Sequence, residues 1–305
     1  MIKLGLALGG GGARGLAHIG VLKVLEREQI PIGTITGCSM GAIIGGLFAY
    51  FQSALKVESF VLEAVESREF KKYGIETFNK IESSDHHKHF EEYLDYIKVK
   101  LAFLKVFNNQ SVFNEEEAEK LFSLIPDAEI KDLPVKFSAI ATDLVSGQEV
   151  NITEGSLRKA LKASGAIPGF FPPVKLDDYL LIDGSAMESV PVSKVKELGA
   201  ERVIAVDVTK CLKITGPLDN GIEIIYRAED ITSFHLSQLR LKEADLIIKP
   251  EVGNLSWADF RSMEKIIKVG ELAAMKLLSD IKVVSLKGSL VYSIKKFFNE
   301  IQKHD

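Results

Sequence analysis

Ile32-Gly33-Thr34-Ile35-Thr36-Gly37-Cys38-Ser39-Met40-Gly41-Ala42-Ile43-Ile44-Gly45-Gly46-Leu47 is the stretch on which the fold turns. Ile32 to Thr36 reads as a short strand following Pro31, and Gly41 to Phe51 reads as a helix. Within that helix Ala42, Gly45, Gly46 and Ala49 are small enough to let a neighbour approach closely. Between the two elements lies Gly37-x-Ser39-x-Gly41, the spacing of a nucleophile elbow. In such an elbow a sharp strand-to-helix turn exposes a serine hydroxyl above the end of a sheet. A plain glycine-rich turn with an N-capping serine would carry the same letters. The position between strand and helix is what favours the elbow.

Upstream, Ile2 to Leu8 is β-compatible and ends at Gly9, and residues 15–28 place Leu16, Ile19, Leu22 and Leu25 on one helical face. The chain therefore opens β-α-β-α, which implies parallel strands covered by helices. Downstream, residues 53–130 offer charge and aromatics (Phe60, Phe70, Tyr73, Phe78, Phe90, Tyr93, Tyr96) but no clear strand, and read as a helical insertion. From Val135 the β signal returns. Phe137 to Thr142 and Glu149 to Ile152 flank Ser146-Gly147 as a hairpin. A helix over 155–163, a strand over 179–182, a helix over 191–198 and a strand over 202–208 follow, then a last strand at 245–249 and a closing helix over 258–279. The expected fold is α/β, a mostly parallel central sheet flanked by helices. One domain spans residues 1–280, with the insertion at about 53–130. Residues 281–305 form an amphipathic appendage, where Leu290, Val291, Ile294, Phe297, Phe298 and Ile301 recur beside Lys287, Lys295, Lys296 and Lys303. Such a face packs on protein or lies in a lipid headgroup layer.

Two further motifs carry chemistry. Gly9-Gly10-Gly11-Gly12-Ala13-Arg14-Gly15 sits between the first strand and the first helix, where uncovered backbone amides at a helix start favour an anion. The spacing also satisfies G-x-G-x-x-G. A dinucleotide site, however, wants an acidic residue about twenty positions on, where this chain has Ile35, Thr36 and Gly37. A phosphate-binding loop wants Gly-Lys-Ser/Thr, which is missing too. An anion that develops during a reaction fits best. The second motif is Asp183-Gly184-Ser185, directly after the strand Tyr179 to Ile182; alone it is as good a turn as a catalytic aspartate.

The 305 residues carry a formal net charge of −4, which gives no argument for nucleic acid, and two cysteines, Cys38 and Cys211, which suit a reduced protein. The apolar start is too short for a secretory core, and no run of about eighteen apolar residues occurs.

In this order the three motifs resemble the patatin-like phospholipase family, in particular bacterial members related to the catalytic domain of neuropathy target esterase. The likeness extends over roughly residues 4–280 and includes Gly15-Leu-Ala-His-Ile-Gly-Val-Leu22, Ala141-Thr-Asp-Leu144, Ala163-Ser-Gly-Ala-Ile-Pro-Gly-Phe-Phe-Pro-Pro173, Val203-Ile-Ala-Val-Asp-Val208 and Ala244-Asp-Leu-Ile-Ile-Lys-Pro250. The resemblance implies a lipid acyl hydrolase with a Ser-Asp dyad: Ser39 as nucleophile, Asp183 as base, and amides of Gly10, Gly11, Gly12, Ala13 and Arg14 as the oxyanion hole. Arg14 would chiefly hold the loop in shape. It implies phospholipid or other long-chain acyl ester substrates, with no cofactor and no metal; Phe170 and Phe171 are candidates for acyl contacts, with plain core as the alternative. The cysteine usage and the missing secretory core point to a cytoplasmic protein, peripheral at the inner membrane face if the C-terminal helix or the insertion reaches lipid. The chain departs from the family at Ser185, where glycine or alanine is usual, and at Glu188 and Ser189, where asparagines are common.

His18 lies inside the first helix and reads as structural, and Asp85, His86, His87 and His89 read as a solvated segment rather than a metal site. A Ser-Asp-His triad would require His235, which reads as a helix-surface residue. A degenerate lipid- or partner-binding module without turnover is the other alternative.

Overall fold

The computed structural model describes residues 3–72, 111–209, 221–253 and 258–286, together with positions 212, 218 and 255. The sheet follows from the opening β-α-β-α unit. Strand β1 (Leu4–Leu8) leads through a 3₁₀ turn at Gly12–Leu16 into α1 (Ala17–Arg27), and β2 (Thr34–Cys38) leads into α2 (Met40–Phe51). Helices α3 (Ala54–Glu66), α4 (Arg68–Lys72) and α5 (Glu115–Phe122) belong to the expected insertion, whose stretch at 73–110 lies outside the described residues. Then come β3 (Lys136–Asp143), β4 (Glu149–Ile152), α6 (Leu157–Ser164), β5 (Val174–Leu176), β6 (Tyr179–Asp183), α7 (Val192–Glu197), β7 (Arg202–Val206), α8 (Gly221–Leu241), β8 (Leu246–Ile248), α9 (Met263–Lys276) and α10 (Leu278–Ser285).

The eight strands make one sheet in the order β5-β6-β3-β2-β1-β7-β8, with β4 paired to β3. Strands β1, β2, β3, β7 and β8 are parallel; β4 and β6 run antiparallel to β3, and β5, antiparallel to β6, again follows the main direction. The architecture is the expected one: a mostly parallel sheet flanked by helices. Alternation along β1 divides the core in two. Leu4, Leu6 and Leu8 join the large cluster with α1, α2 and α9, while Ala7 faces a smaller one with Val192, Val195 and Leu241.

One register decides where the chemistry sits. Ala141 of β3 pairs with Val150 of β4 on one edge and with Asp183 of β6 on the other. Ile140 pairs with Asn151 of β4 and, on that same second edge, with Cys38 of β2. Strands β2 and β6 therefore meet tip to tip along β3, and the last residue of each stands beside the other.

Several boundaries differ from the sequence reading. Strand β2 runs two residues later, through Gly37 and Cys38, because these pair with Leu8 and Ile140. β5 was not anticipated: it is three residues long and joined to β6 across Asp177, which takes φ 52. Helix α8 contains His235, read as a helix-surface residue, although the sequence reading set no bounds for that helix. The closing helix is two helices broken at Leu277. Of the appendage, residues 287–305 lie outside the described residues, as do Cys211 and the histidines at 86–89.

Candidate active site

Ser39 is the hinge between β2 and α2. Its backbone takes φ 52 and ψ −124, a region that L-residues avoid and that is held only where the surroundings impose it. The flanking glycines make the turn feasible. A Cβ at Gly37 would overlap the Ala42 backbone, and one at Gly41 would overlap the Leu8 carbonyl. Ser39 C=O accepts from the N–H groups of Ala42 (2.9 Å) and Ile43 (3.1 Å), the first hydrogen bonds of α2. Ser39 N–H donates to Ser164 Oγ at 3.0 Å, and Ser164 Oγ donates to Ile140 O at 2.6 Å. Ser164 thus ties the strained residue to β3 through the last position of α6.

Asp183 closes the site from β6. Its N–H donates to Ala166 O at 2.9 Å. Its Oδ1 accepts from Ser185 N–H at 2.8 Å and Ser185 Oγ at 2.7 Å, with Cys38 Sγ at 3.8 Å. Ser39 is 5% and Asp183 4% exposed, so the pair is largely withdrawn from water. Burial pushes the Asp183 carboxyl above the usual carboxylate range. Hydrogen bonds from Ser39, Ser185 and Cys38 pull it back. Burial and the Asp183 charge together push the Cys38 thiol well up, so it stays neutral.

The glycine loop arches over Ser39, since a Cβ at Gly10 would come within 3.2 Å of Ser39 Cβ. Gly10 N–H donates to Ser189 O at 2.8 Å, and Arg14 N–H to Gly11 O at 3.2 Å. These two amides of the five expected donors are already engaged inside the chain. Arg14 Nε donates to Gly11 O at 3.1 Å, a bond within the loop. Behind it His18 Nε2 lies 2.7 Å from Gly9 O. Burial lowers the His18 pKa to about 4, against the opposing pull of the Gly9 carbonyl and the Asp207 charge.

An apolar cavity of about 150 Å³ opens on Ser39 and Gly12 and runs between α2, α3 and α5, lined by Leu47, Phe60, Ala64 and Phe171 among others. Phe171 reaches it, stacked on Phe113. Phe170 is buried but does not line the cavity. No histidine contributes to the interactions of Asp183 described above, and His235 is exposed on α8. Among the described residues no cluster of His, Cys, Asp and Glu could hold a metal, and no helix is long and apolar enough to cross a membrane.

Ser164 escaped the sequence reading. Its letters stood inside a segment already noted, but a side chain that bonds a backbone 125 residues away leaves no local signal.

Residues 6–195 match the family described as patatin-like phospholipase. An uncharacterized NTE family protein of Mycobacterium tuberculosis is 31% identical over 211 residues, 68% of this chain and 49% of that protein. Patatin-like phospholipase domain-containing protein 6 of Homo sapiens is 30% identical over 207 residues, 67% of this chain and 13% of that one. The chain thus spans half or less of these relatives' lengths. Among solved structures, VipD from Legionella pneumophila superposes with a TM-score of 0.48 at 14% identity, covering 92% of this chain and 67% of that one.

Proposed function

The chain belongs to the patatin-like phospholipase family, and from that premise we propose that it is a serine lipid acyl hydrolase working through Ser39 and Asp183. The observation that carries the reading is the tip-to-tip junction of β2 and β6 beneath the glycine loop, with an apolar cavity leading away from Ser39. Ser39 Oγ attacks the ester carbonyl while its proton passes to the Asp183 carboxylate. A carboxylate is too weak a base to hold a pre-formed alkoxide, so transfer and attack proceed together. Charge then develops on the carbonyl oxygen. The amides of Gly11, Gly12 and Ala13 and the N-terminus of α2 supply the stabilisation, each such donor being worth about 3 kcal/mol in comparable sites. Collapse expels the alcohol, which takes the proton from Asp183, and leaves an acyl-enzyme. Water, deprotonated by the same carboxylate, then releases the acid. The cavity lining is apolar, which suits an unsubstituted acyl chain and points to phospholipids or lysophospholipids as substrates.

The dyad is distinguished from a triad by two substitutions. Asp183→Asn should abolish hydrolysis of a p-nitrophenyl ester while leaving the circular dichroism spectrum unchanged. His235→Ala, at an exposed position, should leave turnover within a few-fold of the parent. Equal damage from both would favour the triad.

A further inference from the structure

The turn after Asp183 carries a hydroxyl that the reaction above does not use. Ser185 N–H and Ser185 Oγ both donate to Asp183 Oδ1, at 2.8 and 2.7 Å, so two donors converge on one carboxylate oxygen. Ser39 also hydrogen-bonds the Asp183 carboxyl. Ser185 Oγ also faces the glycine loop: a Cβ at Gly10 would come within 2.6 Å of it and 3.2 Å of Ser39 Cβ. Hydroxyl, nucleophile and loop share one small space. Glycine or alanine, usual at this position in the family, would bring no such donor.

We propose that Ser185 is a positioning residue for the reaction, its hydroxyl fixing the Asp183 carboxyl so that it faces Ser39. The inference rests on Ser39 and Asp183 being the catalytic pair. During attack the Ser39 proton moves to the Asp183 carboxylate, while Ser185 keeps donating to Oδ1; no other group changes protonation. Because a donor favours the charged carboxylate, the hydroxyl also offsets part of the burial that makes Asp183 hard to ionise. Removing it keeps the Ser185 backbone N–H bond but subtracts one donor, so Asp183 would become a base only at higher pH.

Other titratable groups lie near Asp183, and of these Glu188, raised to about 9, titrates on the alkaline side. Cys38 on β2 is held neutral. Burial and the Glu149 carboxyl on β4 push Glu188 upward, with Arg240 of α8 and Lys194 of α7 opposing. His18, behind Gly9, takes up charge only near pH 4.

The test compares the full chain with Ser185→Ala, Ser185→Gly and Ser185→Thr, following kcat and KM for a soluble p-nitrophenyl ester across pH, with Asp183→Asn alongside. Ser185→Ala and Ser185→Gly should each lower kcat roughly tenfold with KM little changed, and should move the acid limb of kcat/KM upward by roughly one pH unit. Ser185→Thr, which keeps the hydroxyl, should restore both. A purely structural role would leave the acid limb in place. Wild-type limbs in both hydroxyl-less variants, with Asp183→Asn inactive, would overturn the role of Ser185 alone. An active Asp183→Asn would instead bring down the catalytic pair on which it rests.

Discussion

At Ser39 the backbone adopts a conformation that costs on the order of 1–3 kcal/mol, and the neighbouring residues are what hold it there. Gly37 and Gly41 are required because any side chain would collide with backbone. Ser164 supplies the acceptor for a buried N–H that would otherwise have none. The pattern Gly37-x-Ser39-x-Gly41 was legible because the turn forces glycine at fixed offsets, whereas Ser164 was not, because its partner is distant in sequence. His18 is the second residue under tension. It is fully buried, and its pKa is lowered from 6.5 to about 4, chiefly by burial. The unfolded chain therefore binds a proton between those values that the folded chain refuses. The associated stability is complete above about pH 6.5 and is lost as the pH falls towards 4, by roughly 3 kcal/mol in all. His18→Gln, which can keep a donor towards Gly9 O but cannot titrate, should be measurably less sensitive to pH in this window. Urea titrations at several pH values would show the difference in slope. Parallel pH dependence of the two proteins would remove His18 from the account.

Among elements, the contact between α1 and α9 shows how packing overrides propensity. Gly20 of α1 faces the Ile267 carbonyl of α9, and Gly270 of α9 faces the Ala17 carbonyl of α1; a Cβ on either would overlap that oxygen. Helix propensity alone says that alanine at either position stabilises by about 1 kcal/mol. The crossing says the opposite, since two backbones must separate to admit a methyl, at a cost of about 1–3 kcal/mol or more. Gly20→Ala and Gly270→Ala should each lower the urea midpoint, and a raised midpoint would contradict the close crossing. Periodicity found α1 through Ile19, Leu22 and Leu25, although Ala17 to Leu22 are buried on every side and only its last turn is exposed. β5 stayed hidden because three residues with a single buried side chain, Val174, are too few for a pattern. The tip-to-tip meeting of β2 and β6 stayed hidden for another reason. It depends on which edge of β3 each strand takes, and no local sequence records that choice.

For the whole molecule, the sheet brings Ser39 and Asp183 together and the helices over it line the cavity. Ser39 and Gly12 lie at one end, while Phe60 and Ala64 come from α3, outside the β-α-β-α unit. On the proposed reading, chemistry and chain-length selection lie on different parts of the chain and should separate by mutation. Ala64→Phe should shorten the cavity, lowering kcat/KM for a long-chain p-nitrophenyl ester at least tenfold relative to a short-chain one. An unchanged ratio would place the acyl chain elsewhere. Such a ratio says nothing about which serine reacts, and that is the central claim. The direct measurement treats the intact protein with a fluorophosphonate and maps the adduct by peptide mass spectrometry. The account predicts stoichiometric modification of Ser39 with loss of esterase activity, and no modification of Ser39→Ala. An adduct on Ser185 or any other serine with Ser39 unmodified, or full activity in Ser39→Ala, would contradict it.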